Sequence, residues 1–401
     1  MISLDDLKTL ARPAQTKIVL LVMDGVGGLP RAFDGKTELE AARTPNLDAL
    51  AAQGTLGLAD PVAPGITPGS GPGHLGVFGY DPLQYRIGRG VLEAVGIDAP
   101  MGDRDLAARG NFCSVDGQGL ITDRRAGRIP TETCVKLCAM LETVRIPDVQ
   151  VLVKPVREHR FVVLFRGEGL EEGLSETDPQ EIGKPPLPVR AELQHATRSA
   201  DVANQFVAEA RKVLANERPA NMVLLRGFSR YPRIAKLTDI YGVRAGVIAV
   251  YPMYRGLARL VGMTPILAGN TVNDEFAALE KHFGEFDFFF VHIKKTDSYG
   301  EDGNFENKVH VIEEVDRELP RLLALKPDVV FITGDHSTPA TYRGHSWHPV
   351  PVLLWSKWSR PDGAKGFSER ECRLGGLGRL RAAELMPVVM GYAERLNKFG
   401  A

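Results

Sequence analysis

Five places in this 401-residue chain hold side chains that could bind metal ions or carry a nucleophile. Asp24 follows the apolar run Lys17–Met23. Ser70 stands in the loop Thr67-Pro-Gly-Ser-Gly-Pro-Gly-His74. Asp297 and Glu301 are four residues apart, Asp335 and His336 are adjacent, and His345 follows nine residues after His336. Two divalent ions need about six to eight protein ligands drawn from carboxylates and imidazoles. Each residue alone has a bland reading: an acid after a strand is usually a turn residue, and Asp297 with Glu301 could be a solvated helix face. The joint pattern is what points to a metal site.

Ser70 has glycines at 69, 71 and 73 around it, which permit a sharp turn and close backbone approach. The following Leu75–Phe78 predicts a helix start, and a helix N-terminus favours an anion. A hydroxyl there can be activated by a metal and can take a phosphoryl group. The surroundings do not suit a hydrolase elbow, and no Gly-Lys-Ser/Thr of a P-loop is present. Arginines form a second theme. Arg124, Arg125 and Arg128 crowd one short segment, Arg226 follows an apolar run, and Arg86, Arg89, His159 and Arg160 are further candidates. The planar fork of arginine suits phosphate and carboxylate recognition. The bland alternative is an exposed, salt-bridged loop.

These residues need elements to position them. The apolar runs Lys17–Met23, Met222–Leu225, Val243–Val250, Phe286–Ile293, Val329–Thr333 and Val352–Trp355 read as buried strands. Several end beside a polar residue. Helical patterns lie between them: Thr44-Pro45 predicts a helix start with Leu47 and Leu50 on one face, and Val309, Ile312, Val315 and Leu319 share another. Alternation of this kind implies an α/β fold with a mostly parallel sheet flanked by helices, which binds ligands beyond the carboxyl ends of its strands. The stretch 103–184 is richer in Gly and Arg with short β-like pieces. It reads as a smaller inserted α+β domain, leaving 1–102 and 185–401 as the core.

Composition narrows the partners. Lys plus Arg is 49 against 50 for Asp plus Glu, which argues against nucleic acid or a membrane surface. The longest early apolar run, Ile18–Met23, is far short of the roughly 20 residues of a membrane span. Residues 1–15 are polar and lack the apolar stretch of a secretory signal, so the expected place is the cytoplasm. Cys113, Cys134, Cys138 and Cys372 read as reduced, packed thiols.

Taken together, Val22-Met-Asp-Gly25, Thr44-Pro-Asn-Leu-Asp-Ala-Leu50, the Ser70 loop and Thr333-Gly-Asp-His-Ser-Thr-Pro339 resemble the alkaline phosphatase superfamily. Within it, Gly69-Ser-Gly-Pro-Gly-His-Leu75, Phe78-Gly-Tyr-Asp-Pro82, Gly88-Arg-Gly90, Thr122-Asp-Arg-Arg-Ala-Gly-Arg-Ile129 and Thr296-Asp297 resemble the archaeal-type 2,3-bisphosphoglycerate-independent phosphoglycerate mutases. The resemblance runs from Lys17 to about Tyr392. It implies an alkaline-phosphatase-like core and two divalent ions, manganese foremost, with magnesium, cobalt or zinc as the other options. Ser70 would be the phosphorylated nucleophile, sharing one ion with Asp24, Asp335 and His336. Asp297, Glu301 and His345 would hold the second. Arg124, Arg125 and Arg128, with His74 and Arg226, would bind the substrate.

The implied reaction is the interconversion of 3-phosphoglycerate and 2-phosphoglycerate through phosphoserine, in glycolysis and gluconeogenesis. Closure of the inserted domain would keep water out. The family usually has His at the position of Glu301. An oxygen-richer site tilts the expectation toward manganese or magnesium over zinc. His348 is an extra imidazole that is either incidental or a compensation. Two other readings stay open: a metal-dependent phosphatase or phosphodiesterase, and a non-catalytic phosphometabolite-binding protein. The only partner expected is a small phosphoglycerate, and the oligomeric state is open.

Overall fold

The computed structural model describes residues 2–400, so the outermost positions of the expected core, 1 and 401, lie outside it. In chain order its strands are β1 (Ile18–Met23), β2 (Thr55–Asp60), β3 (Asp105–Val115), β4 (Ile121–Asp123), β5 (Gln150–Arg157), β6 (Arg160–Arg166), β7 (Met222–Arg230), β8 (Ala245–Ala249), β9 (Thr264–Ile266), β10 (Phe288–Ile293), β11 (Val329–Thr333), β12 (Val350–Ser356) and β13 (Gly378–Arg381). They fall into two compact units. One comprises the residues up to Arg86 and those from Ile234 onward; the other is Ile87–Arg233.

The first unit is built on an eight-stranded sheet in the order β13-β2-β12-β11-β1-β10-β8-β9. β11, β1, β10, β8 and β9 run parallel, whereas β12 is antiparallel to both β11 and β2. β1 and β10 are buried at every residue. An unbroken apolar strand suits a sheet covered on both faces, because neither pleat meets water. The helix Phe305–Ala324 supplies part of one cover, burying Val309, Ile312, Val315 and Leu319 as their spacing predicts.

The helix Pro45–Ala51 begins where Thr44-Pro45 predicts, but Thr44 makes no capping hydrogen bond. Asp316, from the Phe305–Ala324 helix, does that work. Its Oδ1 accepts from the backbone N–H of Asn46 at 3.0 Å and of Leu47 at 2.7 Å. Two orphan amides are thus satisfied by a residue far away in sequence.

The second unit is an antiparallel sheet. β3 pairs with β6 and β7, β6 with β5, and β4 with the end of β3. The helices Arg89–Gly96, Thr131–Leu141 and Thr197–Val213 pack on it. This corrects two expectations. Met222–Leu225, grouped by sequence with the parallel core strands, belongs to β7 and lies antiparallel to β3. The unit is therefore wider than 103–184, since the helices before and after that span also pack on this sheet. A short apolar run looks the same in either kind of sheet. All four cysteines are buried and free.

Asp316→Ala should cost about 1–2 kcal/mol, the usual loss for a helix cap. Urea unfolding should show a lower midpoint with an unchanged slope.

Candidate metal and phosphoryl site

The site follows from sheet order. β11, β1 and β10 are neighbours running the same way, so residues just past their carboxyl ends must meet. Asp24 follows β1, Asp335 and His336 follow β11, and Asp297 lies in the helix Lys295–Glu301 that follows β10. Ser70 is the first residue of the helix Ser70–Val77. That helix starts five residues before the expected Leu75, which places the hydroxyl at the positive helix end. Two glycines make the approach possible. Gly25 has φ +64°, and a Cβ there would stand 2.5 Å from Thr338 Oγ1. A Cβ at Gly73 would stand 2.2 Å from the carbonyl oxygen of Asp335.

His336 Nε2 is the centre of the first group. It lies 3.2 Å from Ser70 Oγ, 3.2 Å from Asp24 Oδ1 and 3.1 Å from Asp335 Oδ2. Asp24, Asp335 and His336 are all fully buried. Asp24 Oδ1 and Asp335 Oδ2 make no hydrogen bond of sound geometry. A buried carboxylate oxygen left in that state is costly.

The second group is Asp297 with His345, whose Nε2 is 3.5 Å from Asp297 Oδ1 and 3.8 Å from Glu301 Oε1. Glu301 is the outermost of these, with its side chain 57% exposed. The rings of His336 and His345 stack at 3.6 Å.

The donors fit divalent cations. Thr338 Oγ1 donates its one proton to Asp297 Oδ1 at 2.8 Å, so its 2.8 Å bond with His336 is donated by His336 Nδ1–H. His345 Nδ1 faces the carbonyl oxygen of Pro68 at 2.8 Å and must donate as well. In the neutral rings both Nε2 atoms then carry a free lone pair, each held in place by a hydrogen bond on the other nitrogen, as metal-binding histidines are. The set Asp24, Asp335 and His336 and the set Asp297, His336 and His345 each bring their ligand atoms within 4.8 Å of one another. Because Thr338 occupies His336 Nδ1, the imidazole has one lone pair to give, and it points to the first group.

Electrostatics agree. Burial lowers the His336 pKa, but the Asp335 charge and the bonds to Asp24 and Asp335 outweigh it and hold it up at about 10. Burial pushes Asp24 up, yet Lys294, His292 and His336 keep it well below the ordinary carboxylate range. Burial and Asp24 push Asp297 up, and His345, Lys294 and His336 bring it down.

Sequence reasoning missed two of these partners. Lys294 Nζ donates to Asp24 Oδ2 at 3.2 Å and to Asp297 Oδ2, spanning both groups from behind. His292, fully buried, sets Nε2 3.1 Å from the same Asp24 oxygen and stacks on Tyr254 at 3.9 Å. The available signal was an imidazole inside the otherwise apolar β10, with a lysine three residues before Asp297.

His74, expected to touch substrate, is fully buried. Its Nδ1 lies 2.8 Å from the Ser70 carbonyl oxygen and 3.0 Å from Asp335 Oδ2. It braces the helix that Ser70 opens against an acid. His348 lies outside both ligand groups and pairs with Ser346 Oγ at 3.1 Å.

Arg124, Arg125, Arg128 and Arg226 belong to the second unit, whereas Arg86 closes the first stretch of the other. Arg124 grips the buried Asp178 in bidentate fashion at 2.9 and 2.7 Å. Arg226 binds Glu176 at 2.8 Å and lies 3.5 Å from Asp178. Arg125 and Arg128 are exposed, on a tight turn whose amides at 125 and 127 are held by Asp123. They help form a cationic group: burial and the charges of Arg160, Arg109, Arg125 and Arg128 lower the pKa of buried His159 to about 4.

Comparison with known proteins supplies what geometry alone does not. The family model for 2,3-bisphosphoglycerate-independent phosphoglycerate mutase matches residues 51–221. A Thermotoga neapolitana protein named as a probable mutase of that kind is 53% identical over 388 residues, 96% of each chain. The chain belongs to this family. A relative from Aquifex aeolicus with the same name is 50% identical over 408 residues, covering 99% of this chain and 100% of its own.

Solved structures agree. A Pyrococcus horikoshii protein superposes with TM-score 0.84 at 31% identity, covering 96% of this chain and 99% of its own. The cofactor-independent phosphoglycerate mutase of Thermoplasma acidophilum gives 0.72 at 29% identity, with 94% and 100% covered. Members of the family are isomerases. No helix among the described residues is long and apolar enough to cross a membrane.

Manganese at about a hundred times its dissociation constant should stabilise the protein by about 2.7 kcal/mol. A chelator should remove the gain, and His336→Ala should not show it; a melting temperature indifferent to metal would refute the site. Binding must also displace a proton from His336. Because that proton is held up to about pH 10, affinity should rise with pH across the neutral range, by up to about tenfold per unit. Metal titrations at several pH values would check this.

Proposed function

We propose that this protein interconverts 3-phosphoglycerate and 2-phosphoglycerate through a phosphoserine at Ser70. The observation that carries the reading is the Ser70 hydroxyl, the first residue of its helix, 3.2 Å from His336 Nε2 and beside two groups of acids and imidazoles. The names of the relatives point the same way.

Asp24, Asp335 and His336, with Ser70, would hold one divalent ion. Asp297, His345 and Glu301 would hold the other. Manganese or magnesium suits the oxygen-rich second set. When bound, such ions favour the ionised serine and offset charge on the phosphoryl oxygens.

Ser70 Oγ loses its proton and attacks phosphorus in line with the bond to the 3-oxygen of the substrate. That bond breaks, and the departing oxygen takes up a proton. Glycerate stays bound and turns. Its 2-hydroxyl gives up its proton and attacks phosphorus. The bond from phosphorus to Ser70 Oγ breaks, Oγ takes up a proton, and 2-phosphoglycerate leaves. The helix N-terminus at Ser70 stabilises the phosphoryl charge in both halves. His74 keeps the helix seated. Lys294 keeps Asp24 and Asp297 ionised and in place.

Arg125 and Arg128 are assigned to the substrate's anionic groups. Arg124 and Arg226, bound to Asp178 and Glu176, shape the surface that presents them. Water must be excluded, because its attack on phosphoserine would release inorganic phosphate instead. The cytoplasm, home of small phosphorylated metabolites, completes the proposal.

Phosphorus NMR of a quenched, chelator-treated reaction with 3-phosphoglycerate should show 2-phosphoglycerate and little free phosphate. Ser70→Ala should lower the rate by at least about 10³-fold, as loss of a nucleophile does. Isomerisation that survives in this variant would exclude the phosphoserine route. Release of phosphate without the isomer would make the protein a phosphatase.

A further inference from the structure

Lys308, in the helix Phe305–Ala324, is fully buried. A buried ammonium must recover what it loses in leaving water. Its Nζ donates to three backbone carbonyls: Gly25 at 2.9 Å, Gly27 at 3.2 Å and Thr338 at 2.8 Å. The nearest carboxylate, Glu38 Oε1, is 3.6 Å away and itself accepts from the Ala340 N–H at 2.7 Å.

Gly25 and Gly27 belong to the turn that follows Asp24. Thr338 is two residues past His336, and its hydroxyl joins His336 to Asp297. The two turns are further joined by Thr338 N–H, which donates to Gly25 at 3.2 Å and Gly27 at 3.1 Å, and by Gly25 N–H, which donates to Asp335 Oδ1 at 3.1 Å. Three carbonyl oxygens aimed at one point repel one another, and the Lys308 ammonium offsets that repulsion. The Coulombic attraction of an ammonium for such dipoles is strong where water is absent.

We propose that Lys308 is a positioning residue whose ammonium clamps the turn after Asp24 to the turn after His336, and thereby sets the spacing of the donor atoms of Asp24 and His336. The inference rests on the reading of Asp24, Asp335 and His336 as cation ligands. It adds a device that no ligand residue supplies, because the clamp never touches cation or substrate. It also differs from a stabilising contact. A contact that only stabilises can be replaced without moving the ligands, whereas loss of this one leaves the two turns joined by fewer bonds and shifts the ligands they carry.

The test uses Lys308→Met, Glu38→Gln and the double variant. Methionine keeps most of the stem and removes the three donors. Glutamine removes the acid that would otherwise be buried without its counter-charge. Manganese affinity is read by paramagnetic resonance of the free ion, alongside melting temperature, kcat and KM. Lys308→Met should weaken manganese binding by about 10–100-fold, the range seen when a partner behind a metal ligand is lost. kcat should fall with it while KM for phosphoglycerate stays within about threefold. The double variant should regain melting temperature without regaining affinity or kcat. Glu38→Gln alone should bind manganese within about threefold of the unaltered protein.

The proposal is overturned if affinity recovers in step with melting temperature in the double variant. It is equally overturned if Glu38→Gln weakens binding as much as Lys308→Met does, or if Lys308→Met binds normally. Failure of the functional reading looks different: the unaltered protein would bind manganese and be sensitive at Lys308, yet form no 2-phosphoglycerate.

Discussion

Three carboxylates, of Asp24, Asp297 and Asp335, are buried within a few ångströms of two imidazoles. Like charges removed from water repel strongly and lose their hydration. Such a cluster persists only if positive charge is supplied at fixed points. Much of the surrounding structure answers that demand. Lys294 takes one oxygen from each of Asp24 and Asp297, His292 takes a share of Asp24, and His336 faces Asp24 and Asp335 together. Asp24 Oδ1 and Asp335 Oδ2 converge on His336 Nε2, which also lies 3.2 Å from Ser70 Oγ. The feature that makes the cluster costly in isolation is the one that gives it affinity for a cation.

The second unit works under a different constraint. Its acids and arginines are paired, with Asp178 serving both Arg124 and Arg226. The group near His159 instead gathers guanidinium groups, which together with burial push the pKa of that ring down to about 4. Paired charges build a rigid frame, and a surplus of one sign prepares a place for an anion.

Much of the first unit was legible in the sequence. Asp24, Asp335 and His336 were readable because an apolar run that stops at an acid marks a strand end, and strand order then brings the ends together. Ser70 was readable from its glycines. What escaped was set by distant contacts. Lys308 reaches carbonyls 283 and 281 residues away in sequence, and His292 meets Asp24 across 268; no local pattern encodes such a meeting. Asp316 caps a helix to which it is not adjacent in sequence. β7 was misplaced because four apolar residues say nothing of direction, and His74 because a motif position does not reveal burial. The family resemblance supplied the assignment of residues to two ions, which spacing alone left open.

Gly73 meets first the main chain of Asp335. Side chains adapt by changing rotamer, and main-chain atoms in contact cannot. The helix that Ser70 opens is therefore seated directly on the strand-end turn bearing Asp335, with nothing compressible between. Gly76 meets the carbonyl oxygen of Pro61 nearly as tightly, so backbone grips this helix at a second point and the reach of the serine is fixed without help from any rotamer.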